Sequence, residues 1–298
     1  MDAAIIQNFF QSNTRAENDT TNRQRESALS LIGSPDHEFF HNPVYGEKWK
    51  KVRAEFITYA TKYLGIPEFS NFSLTHRGGQ SNHHDFDFII YDENGQSIYP
   101  VMTLEFKNNS MPQFMQEFDK NGWTEAQLAE FWYDEGWLDR IIALYEGHLK
   151  FEKPSREEYL QGTHKMMTKK FPDSFFKQFY DFDHDPRFAS QTKEKARLSK
   201  EGIAAFLEEY GYSFHVGKLR NKCQAEQMTK IYFIWDTRDK KFSYYKNTVE
   251  ELSPSRIVKV TANKVILEAG PSEMHCLLRW KNSLGICCPA WQISMKKL

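Results

Sequence analysis

The chain has 298 residues, of which 40% are hydrophobic and 15% aromatic, and its formal net charge at pH 7 is -1. This composition supports a folded core and a globular chain. The near-zero net charge excludes a global basic field that would attract nucleic acid, so any contact with DNA must depend on local basic patches.

The sequence predicts neither a membrane-spanning helix nor a secretory signal. No run of about 18 apolar residues predicts a membrane-spanning helix, and the first twenty residues lack the basic and apolar regions of a secretory signal. The four cysteines are Cys223, Cys276, Cys287 and Cys288, and no second pair accompanies the last two at zinc-binding spacing. We therefore expect an intracellular protein of cytoplasm or nucleus, with reduced thiols and no membrane association.

The first predicted helix lies between Gly46 and Leu64. Residues 1–40 are expected to be an N-terminal arm and lead-in, with a loose polar loop over residues 11–30. From Gly46 onward apolar residues recur at helical spacing, and the helix should end at Gly65 because glycine followed closely by Pro67 stops a helix. Glu55 falls near the boundary of the apolar face of this helix.

A β-hairpin is predicted next, after a first strand and loop within residues 72–84. Even positions are apolar from Asp85 to Tyr91 and again from Val101 to Lys107, which is the alternation of two half-buried strands. Asn94 and Gly95 form the turn between them, since both tolerate positive φ. The odd positions share the opposite face, and those that carry charge are Asp85, Asp87, Glu105 and Lys107.

Three carboxylates and one lysine on a shared face suggest metal-assisted hydrolysis of a phosphodiester. Mg²⁺ prefers oxygen ligands, usually one or two carboxylates with water and substrate phosphate. The bound ion generates hydroxide and neutralises developing charge. Lys107 would orient the attacking water or offset charge at the phosphate. The alternative is the ordinary wet face of an antiparallel sheet, and His83 and His84 beside it are either substrate-side or merely exposed.

The hairpin resembles the PD-(D/E)XK nuclease superfamily, which includes many type II restriction endonucleases. The matching pieces are Asp85 or Asp87 on one strand and the Glu105-Phe106-Lys107 run on the next. The resemblance implies Mg²⁺, for which Mn²⁺ can substitute, bound by Asp85 and/or Asp87 with Glu105, and Lys107 as the catalytic lysine. Some relatives use a helical glutamate as a further metal ligand, which makes Glu55 either such a ligand or an ordinary surface residue.

Residues 41–110 would then be the first part of a nuclease core, and residues 111–215 are predicted to be a helical insert. Apolar residues recur at helical spacing over much of this insert. Its basic residues are candidates for contacts with phosphates; they are Lys165, Lys169, Lys170, Lys193, Lys195 and Arg197.

Residues 216–298 change to short β-rich segments separated by turn residues. We expect the strand at 230–236 to complete the central sheet and the remaining strands to form an antiparallel appendage. Two polar groups in this part either read base edges or are polar because they are exposed. The first is Gln224, Gln227 and Lys230, and the second, at an expected hairpin tip, is Arg279, Trp280, Lys281 and Asn282.

The expected fold is thus α/β, with a mixed central sheet flanked by helices, a helical insert and a C-terminal antiparallel region. The expected function is a Mg²⁺-dependent, sequence-specific endonuclease acting on double-stranded DNA. Alternatives are a repair or recombination nuclease that acts on DNA structure or ends, and an inactive nucleic-acid-binding module. A homodimer is expected at family level, because a two-fold dimer matches a palindromic site.

Overall fold

The computed structural model describes residues 9–10, 19–77, 84–109, 113–116, 125–163 and 174–297. The α-helices are α1 Asp19–Leu29, α2 Glu38–His41, α3 Gly46–Leu64, α4 Glu125–Asp134, α5 Trp137–Ala143, α6 Arg156–Gly162, α7 Phe175–His184, α8 Ala189–Tyr210 and α9 Val216–Gln227. The strands are β1 Phe72–His76, β2 Phe86–Ile90, β3 Met102–Asn108, β4 Gln113–Gln116, β5 Ile231–Asp236, β6 Lys241–Lys246, β7 Arg256–Val260, β8 Lys264–Ala269, β9 Ser272–Ser283 and β10 Cys287–Lys297.

The chain divides into two compact units, and each is built from two separate stretches of sequence. The first unit comprises residues 1–112 and 223–249, and the second comprises residues 113–222 and 250–298. The expected boundaries near residues 110 and 215 lie close to two of these divisions. The chain leaves the first unit again after Val249, which lies inside the expected C-terminal part of residues 216–298.

A five-stranded mixed sheet forms the centre of the first unit, in the order β1-β2-β3-β5-β6. Strands β1, β2 and β3 pair in antiparallel fashion, β3 pairs with β5 in parallel, and β6 is antiparallel to β5. The predicted hairpin and the sheet-completing strand at 230–236 are therefore confirmed. The expectation that every later strand lies in a separate appendage is wrong for β6, which extends this sheet.

Helix α3 packs on the apolar face of the mixed sheet, as the alternation of the strands requires. Phe56 of α3 is fully buried, and its ring centroid lies 5.5 Å from that of Phe72, 5.2 Å from Phe88 and 5.6 Å from Phe233. Gly65 adopts a left-handed conformation with φ of 67° at the end of this helix, which glycine allows at little cost. The helix predicted over Gly46–Leu64 is confirmed.

The N-terminal region contains more regular structure than its polar sequence suggests. Part of the segment expected to be a loose loop is instead helix α1, because Ala28 and Leu29 are fully buried in the core of the first unit. A 3₁₀ turn over Ser30–Gly33 follows. At Gly33 the first atom of any side chain would lie 2.8 Å from the carbonyl oxygen of Phe72 on β1, so this close approach requires glycine.

The second unit contains an antiparallel sheet in the order β4-β10-β9-β8-β7 and most of the later helices. The strands expected after residue 255 are confirmed, as is a largely helical segment before residue 215. Strand β4 is an exception to that helical expectation, because it pairs with β10 over Gln113–Gln116. Within the parts of the chain that the structure describes, no helix is long and apolar enough to cross a membrane.

Candidate active site

Asp85 and Glu105 are brought together by the hairpin of β2 and β3. Asp85 immediately precedes β2, and its backbone amide donates to the carbonyl oxygen of Leu104 at 3.1 Å. Its carboxylate oxygen Oδ2 accepts a hydrogen bond from the backbone amide of Phe106 at 2.9 Å. Because Phe106 follows Glu105 directly, this bond fixes the Asp85 carboxylate beside the Glu105 side chain.

Lys107 lies between the two carboxylates. Its Nζ donates to Glu105 Oε1 at 2.8 Å and lies 4.0 Å from Asp85 Oδ2. Side-chain exposures of 18% for Asp85, 13% for Glu105 and 22% for Lys107 show that the three groups are largely withdrawn from water. We call Asp85, Glu105 and Lys107 the central triad.

The charges of the triad act strongly on one another because water screens them poorly. Burial, and then repulsion by Glu105, raises the pKa of Asp85 to about 6. Burial alone would lower the pKa of Lys107, but the negative charges of Glu105 and Asp85 outweigh it and raise that pKa above its ordinary value. Lys107 is therefore an ammonium cation at neutral pH.

Asp87 belongs to a different set of contacts, although it shares the face of the hairpin with Asp85. Arg77 donates from Nε to Asp87 Oδ2 at 2.7 Å, and His84 Nε2 lies 2.7 Å from Oδ1. Burial would raise the pKa of Asp87, but the hydrogen bonds from Arg77 and His84 outweigh it and lower that pKa. The geometry thus joins Asp85 rather than Asp87 to Glu105 and Lys107.

Glu26 on helix α1 is a residue of this site that the sequence did not reveal. Burial, and then the charge of Asp85, raises the pKa of Glu26 to about 8. Its Oε2 lies 2.9 Å from Nε2 of His76, whose own pKa is lowered by burial and then by Arg23. Both shifts favour the uncharged form of the side chain. No local pattern marks Glu26, since it lies 59 residues before Asp85 in a polar segment.

Glu55 is placed apart from the triad. It precedes Phe56 on α3, is partly exposed, and has no part in the ion pairs and hydrogen bonds that join the triad. Among the described residues, those contacts join the members of the triad to one another, to the Phe106 amide and to Lys230. The helical glutamate whose charge is coupled to Asp85 is Glu26.

Asp85 and Glu105 supply the kind of oxygen donors that Mg²⁺ takes in proteins. Among the described residues, no group of three or more histidine, cysteine, aspartate or glutamate side chains is arranged to hold a metal. One or two carboxylates with water and substrate phosphate are sufficient for Mg²⁺. Asp85 and Glu105 supply two carboxylates, and the ammonium of Lys107 already lies next to both. The donor set therefore suits a cation at this position.

Two of the residues predicted to contact DNA, Lys195 and Gln227, are buried and have structural roles instead. Lys195 is fully buried in an ion pair with Asp183, so it cannot contact phosphate, and Arg197 pairs with Glu194 and Glu201 on its own helix. Gln227 is 3% exposed and bonds the hydroxyl of Tyr232. Lys165, Lys169 and Lys170 lie outside the described residues.

The expected hairpin tip at residues 279–282 is also wrong. These residues lie within strand β9, where Trp280 is 2% exposed and its ring centroid lies 5.0 Å from that of Trp132. Arg279 donates to Gln292 on the neighbouring strand at 3.1 Å. The side chain of Asn282 lies outside the described part. Arg279 and Trp280 therefore do not form a hairpin tip that could enter a DNA groove.

Comparison with known proteins does not place the chain in a family. No protein-family model matches it, and no similar protein is found among the curated ones.

Proposed function

We propose that this protein is a metal-dependent endonuclease that hydrolyses phosphodiester bonds of double-stranded DNA, and that its first unit is a restriction-endonuclease-like core. The observation that carries the proposal is the central triad, in which two carboxylates on a paired hairpin flank one lysine ammonium. On a solvated sheet face the charged side chains would stay in water, whereas those of the triad are largely withdrawn from it.

The order of elements in the first unit supports the same proposal. Helix α3 precedes β1, β2 and β3, and after the long insertion β5 returns parallel to β3. This is a mixed sheet with an antiparallel hairpin at its centre and a helix on its apolar face. Such an arrangement is what the resemblance of the hairpin to PD-(D/E)XK nucleases implies.

Each member of the triad has a chemical role in the proposed reaction. Asp85 and Glu105 would hold Mg²⁺, which when bound activates water and offsets charge on the phosphate. The Phe106 amide keeps the Asp85 carboxylate turned toward Glu105. Since the raised pKa keeps Lys107 protonated, Lys107 would orient the attacking water by donating hydrogen bonds and would stabilise negative charge rather than accept a proton.

Plasmid cleavage tests this function. Supercoiled plasmid incubated with the protein and Mg²⁺ should be cut, and discrete bands would indicate a sequence-specific restriction-type enzyme. The substitutions Asp85→Asn, Glu105→Gln and Lys107→Ala should each lower the rate about a hundredfold or more, since each removes a charge that acts at the reacting phosphate. Addition of EDTA should stop cleavage.

Two further variants make the assignment specific. Asp87→Asn should reduce cleavage much less than Asp85→Asn, because Asp87 contacts Arg77 and His84 rather than the triad. Glu93→Gln, in the exposed turn of the hairpin, should leave the rate unchanged. Full activity of the folded Glu105→Gln or Lys107→Ala protein would refute the proposed site, and uncut plasmid with wild-type protein and Mg²⁺ would refute the proposed function.

A further inference from the structure

A second lysine, Lys230, lies at the carboxylate of Glu105. Its Nζ is 3.4 Å from Glu105 Oε2, whereas Lys107 bonds the other oxygen, Oε1, at 2.8 Å. The Lys230 side chain is 14% exposed. Two ammonium groups therefore contact the two oxygens of a single, largely buried carboxylate.

The sheet register explains how Lys230 reaches this position. In the parallel pairing of β3 with β5, Leu104 lies opposite Ile231. Lys230 immediately precedes Ile231, so it lies beside Thr103, on the same face as Glu105 and two residues before it. Lys107 lies two residues after Glu105, so the two lysines approach Glu105 from opposite ends of the strand.

Neutralising Glu105 does not account for both lysines. The shorter bond from Lys107 already gives Glu105 a charged partner, and a contact of 3.4 Å is longer than an ordinary N–H···O hydrogen bond. An ammonium has three donors, and one long contact with Glu105 leaves Lys230 with donors for a further acceptor. A largely buried cation is costly when it is loosely paired, and Lys230 is held less closely by Glu105 than Lys107 is.

We infer that Lys230 is a phosphate-binding residue, whose ammonium contacts a non-bridging oxygen of a DNA phosphate at the triad. The inference rests on the proposed nuclease function and adds to it a division of roles. Lys107 acts between the carboxylates of Asp85 and Glu105, and Lys230 holds the DNA strand from the other end of Glu105. Lysine commonly binds phosphate as a point charge.

The salt dependence of DNA binding tests this role directly. A short fluorescein-labelled duplex of mixed sequence is titrated with full-length protein in Ca²⁺, at several salt concentrations, and a gel confirms that the duplex stays intact. Each phosphate contact contributes about 0.9 to the slope of log affinity against log salt concentration. Lys230→Gln should lower that slope by about 0.9 and weaken binding about tenfold. Lys230→Arg, which keeps the charge, should restore the slope.

A matched control separates a specific contact from a general loss of charge. Lys62→Gln removes an exposed lysine on α3, where Lys62 lies over the ring of Tyr63, and should leave the slope unchanged. Thermal unfolding verifies that each variant is folded. If Lys230→Gln does not fold, Lys230→Met, which keeps the aliphatic stem, takes its place.

The outcomes distinguish this inference from the proposed function. A wild-type protein that cleaves plasmid, together with a Lys230→Gln variant of unchanged salt slope, would overturn the role of Lys230 alone. A wild-type protein that neither binds the duplex nor cuts plasmid would overturn both. A lower slope for Lys230→Gln with restoration by Lys230→Arg supports the phosphate contact.

Discussion

At the scale of single residues, Glu26 shows how burial near other acids sets a protonation state. The unfolded chain would ionise Glu26 with its ordinary pKa of 4.5, whereas burial and the charge of Asp85 raise the folded pKa to about 8. The folded state therefore holds a proton that the unfolded state releases. Stability from this proton is complete below about pH 4.5 and is lost as the pH rises through about 8.

We predict that the free energy of unfolding of the metal-free protein falls as the pH rises from 5 to 8. Glu26→Gln, which cannot ionise and keeps a polar group beside His76, should flatten part of this dependence. At pH 8 it should stabilise the protein by about 2 kcal/mol. The gain is no larger because the cation of Lys107 offsets part of the cost of ionising Glu26. Urea unfolding in EDTA at several pH values measures the effect.

Glu93→Gln serves as the control for Glu26, because Glu93 is an exposed glutamate in the hairpin turn. It should leave the pH dependence of wild type in place. Equal pH profiles for Glu26→Gln and wild type would show that Glu26 ionises normally in the folded protein. A dependence that remains in Glu26→Gln is expected from Asp85, whose pKa is also raised, to about 6.

At the scale of elements, helix α8 contains a glycine whose role is opposite to what helix propensity suggests. Gly202 is in the middle of α8, where alanine would ordinarily favour the helix by about 1 kcal/mol. The first side-chain atom of any other residue there would lie 2.4 Å and 2.6 Å from ring atoms of Trp132 and 2.9 Å from Trp137. Trp132 is fully buried, so its ring has little room to move.

We predict that Gly202→Ala destabilises the protein by about 1–3 kcal/mol, because the steric conflict with Trp132 exceeds the gain in helix propensity. Gly217→Ala in α9 is the matched control, since nothing lies within 4 Å of the added atom. It should be neutral or slightly stabilising. Denaturant unfolding followed by tryptophan fluorescence measures both, and a stabilising Gly202→Ala would contradict the packing argument.

The elements that the sequence predicted are those with a strong local pattern. Strict alternation identified β2 and β3, and helical spacing identified α3, because one face of each is buried against a single core. Helix α1 was missed because its sequence carries no apolar residue before Ala28 and Leu29. Strand β4 was missed because it is short and is specified by its partner β10, far along the chain.

The same limit applies to the candidate site. Asp85, Glu105 and Lys107 share one face of a single hairpin, so alternation alone placed them on the same side. The choice between Asp85 and Asp87 depended on the Phe106 amide and on Arg77, and these are contacts that spacing does not reveal. Glu26 lies 59 residues before Asp85 and Lys230 lies 125 residues after Glu105, so only the fold shows that both lie at the triad.

At the scale of the whole molecule, the first unit is assembled from two distant parts of the chain. The buried cluster of this unit draws all of its members from residues 1–112 and 223–249, ending with Phe233, Trp235 and Phe242. Strands β5 and β6 therefore supply aromatic residues that complete the buried core beside β3. Among the residues that the structure describes, those between Pro112 and Cys223 contribute nothing to that cluster.

We predict that the first unit folds by itself when residues 113–222 are replaced by a flexible linker and the chain ends at Val249. Because β3 and β5 are parallel, the linker must return along about one strand length, which is roughly 15–20 Å for five residues at 3.3 Å each. A Gly/Ser linker of about 12 residues has a root-mean-square reach of about 19 Å, which is sufficient. The product contains Glu26, the central triad and Lys230.

This shortened chain should unfold cooperatively and should retain Mg²⁺-dependent cleavage that Glu105→Gln abolishes. Chain 1–112 alone is the informative comparison, because it keeps the whole hairpin but lacks β5, β6 and the aromatic residues that complete the core. It should expose apolar surface and bind a hydrophobic dye. A cooperative transition in the linked chain and none in chain 1–112 would show that the returning segment of residues 223–249, rather than the helical insertion, completes the fold that holds the site. The absence of a cooperative transition in both would show that the first unit depends on the rest of the chain.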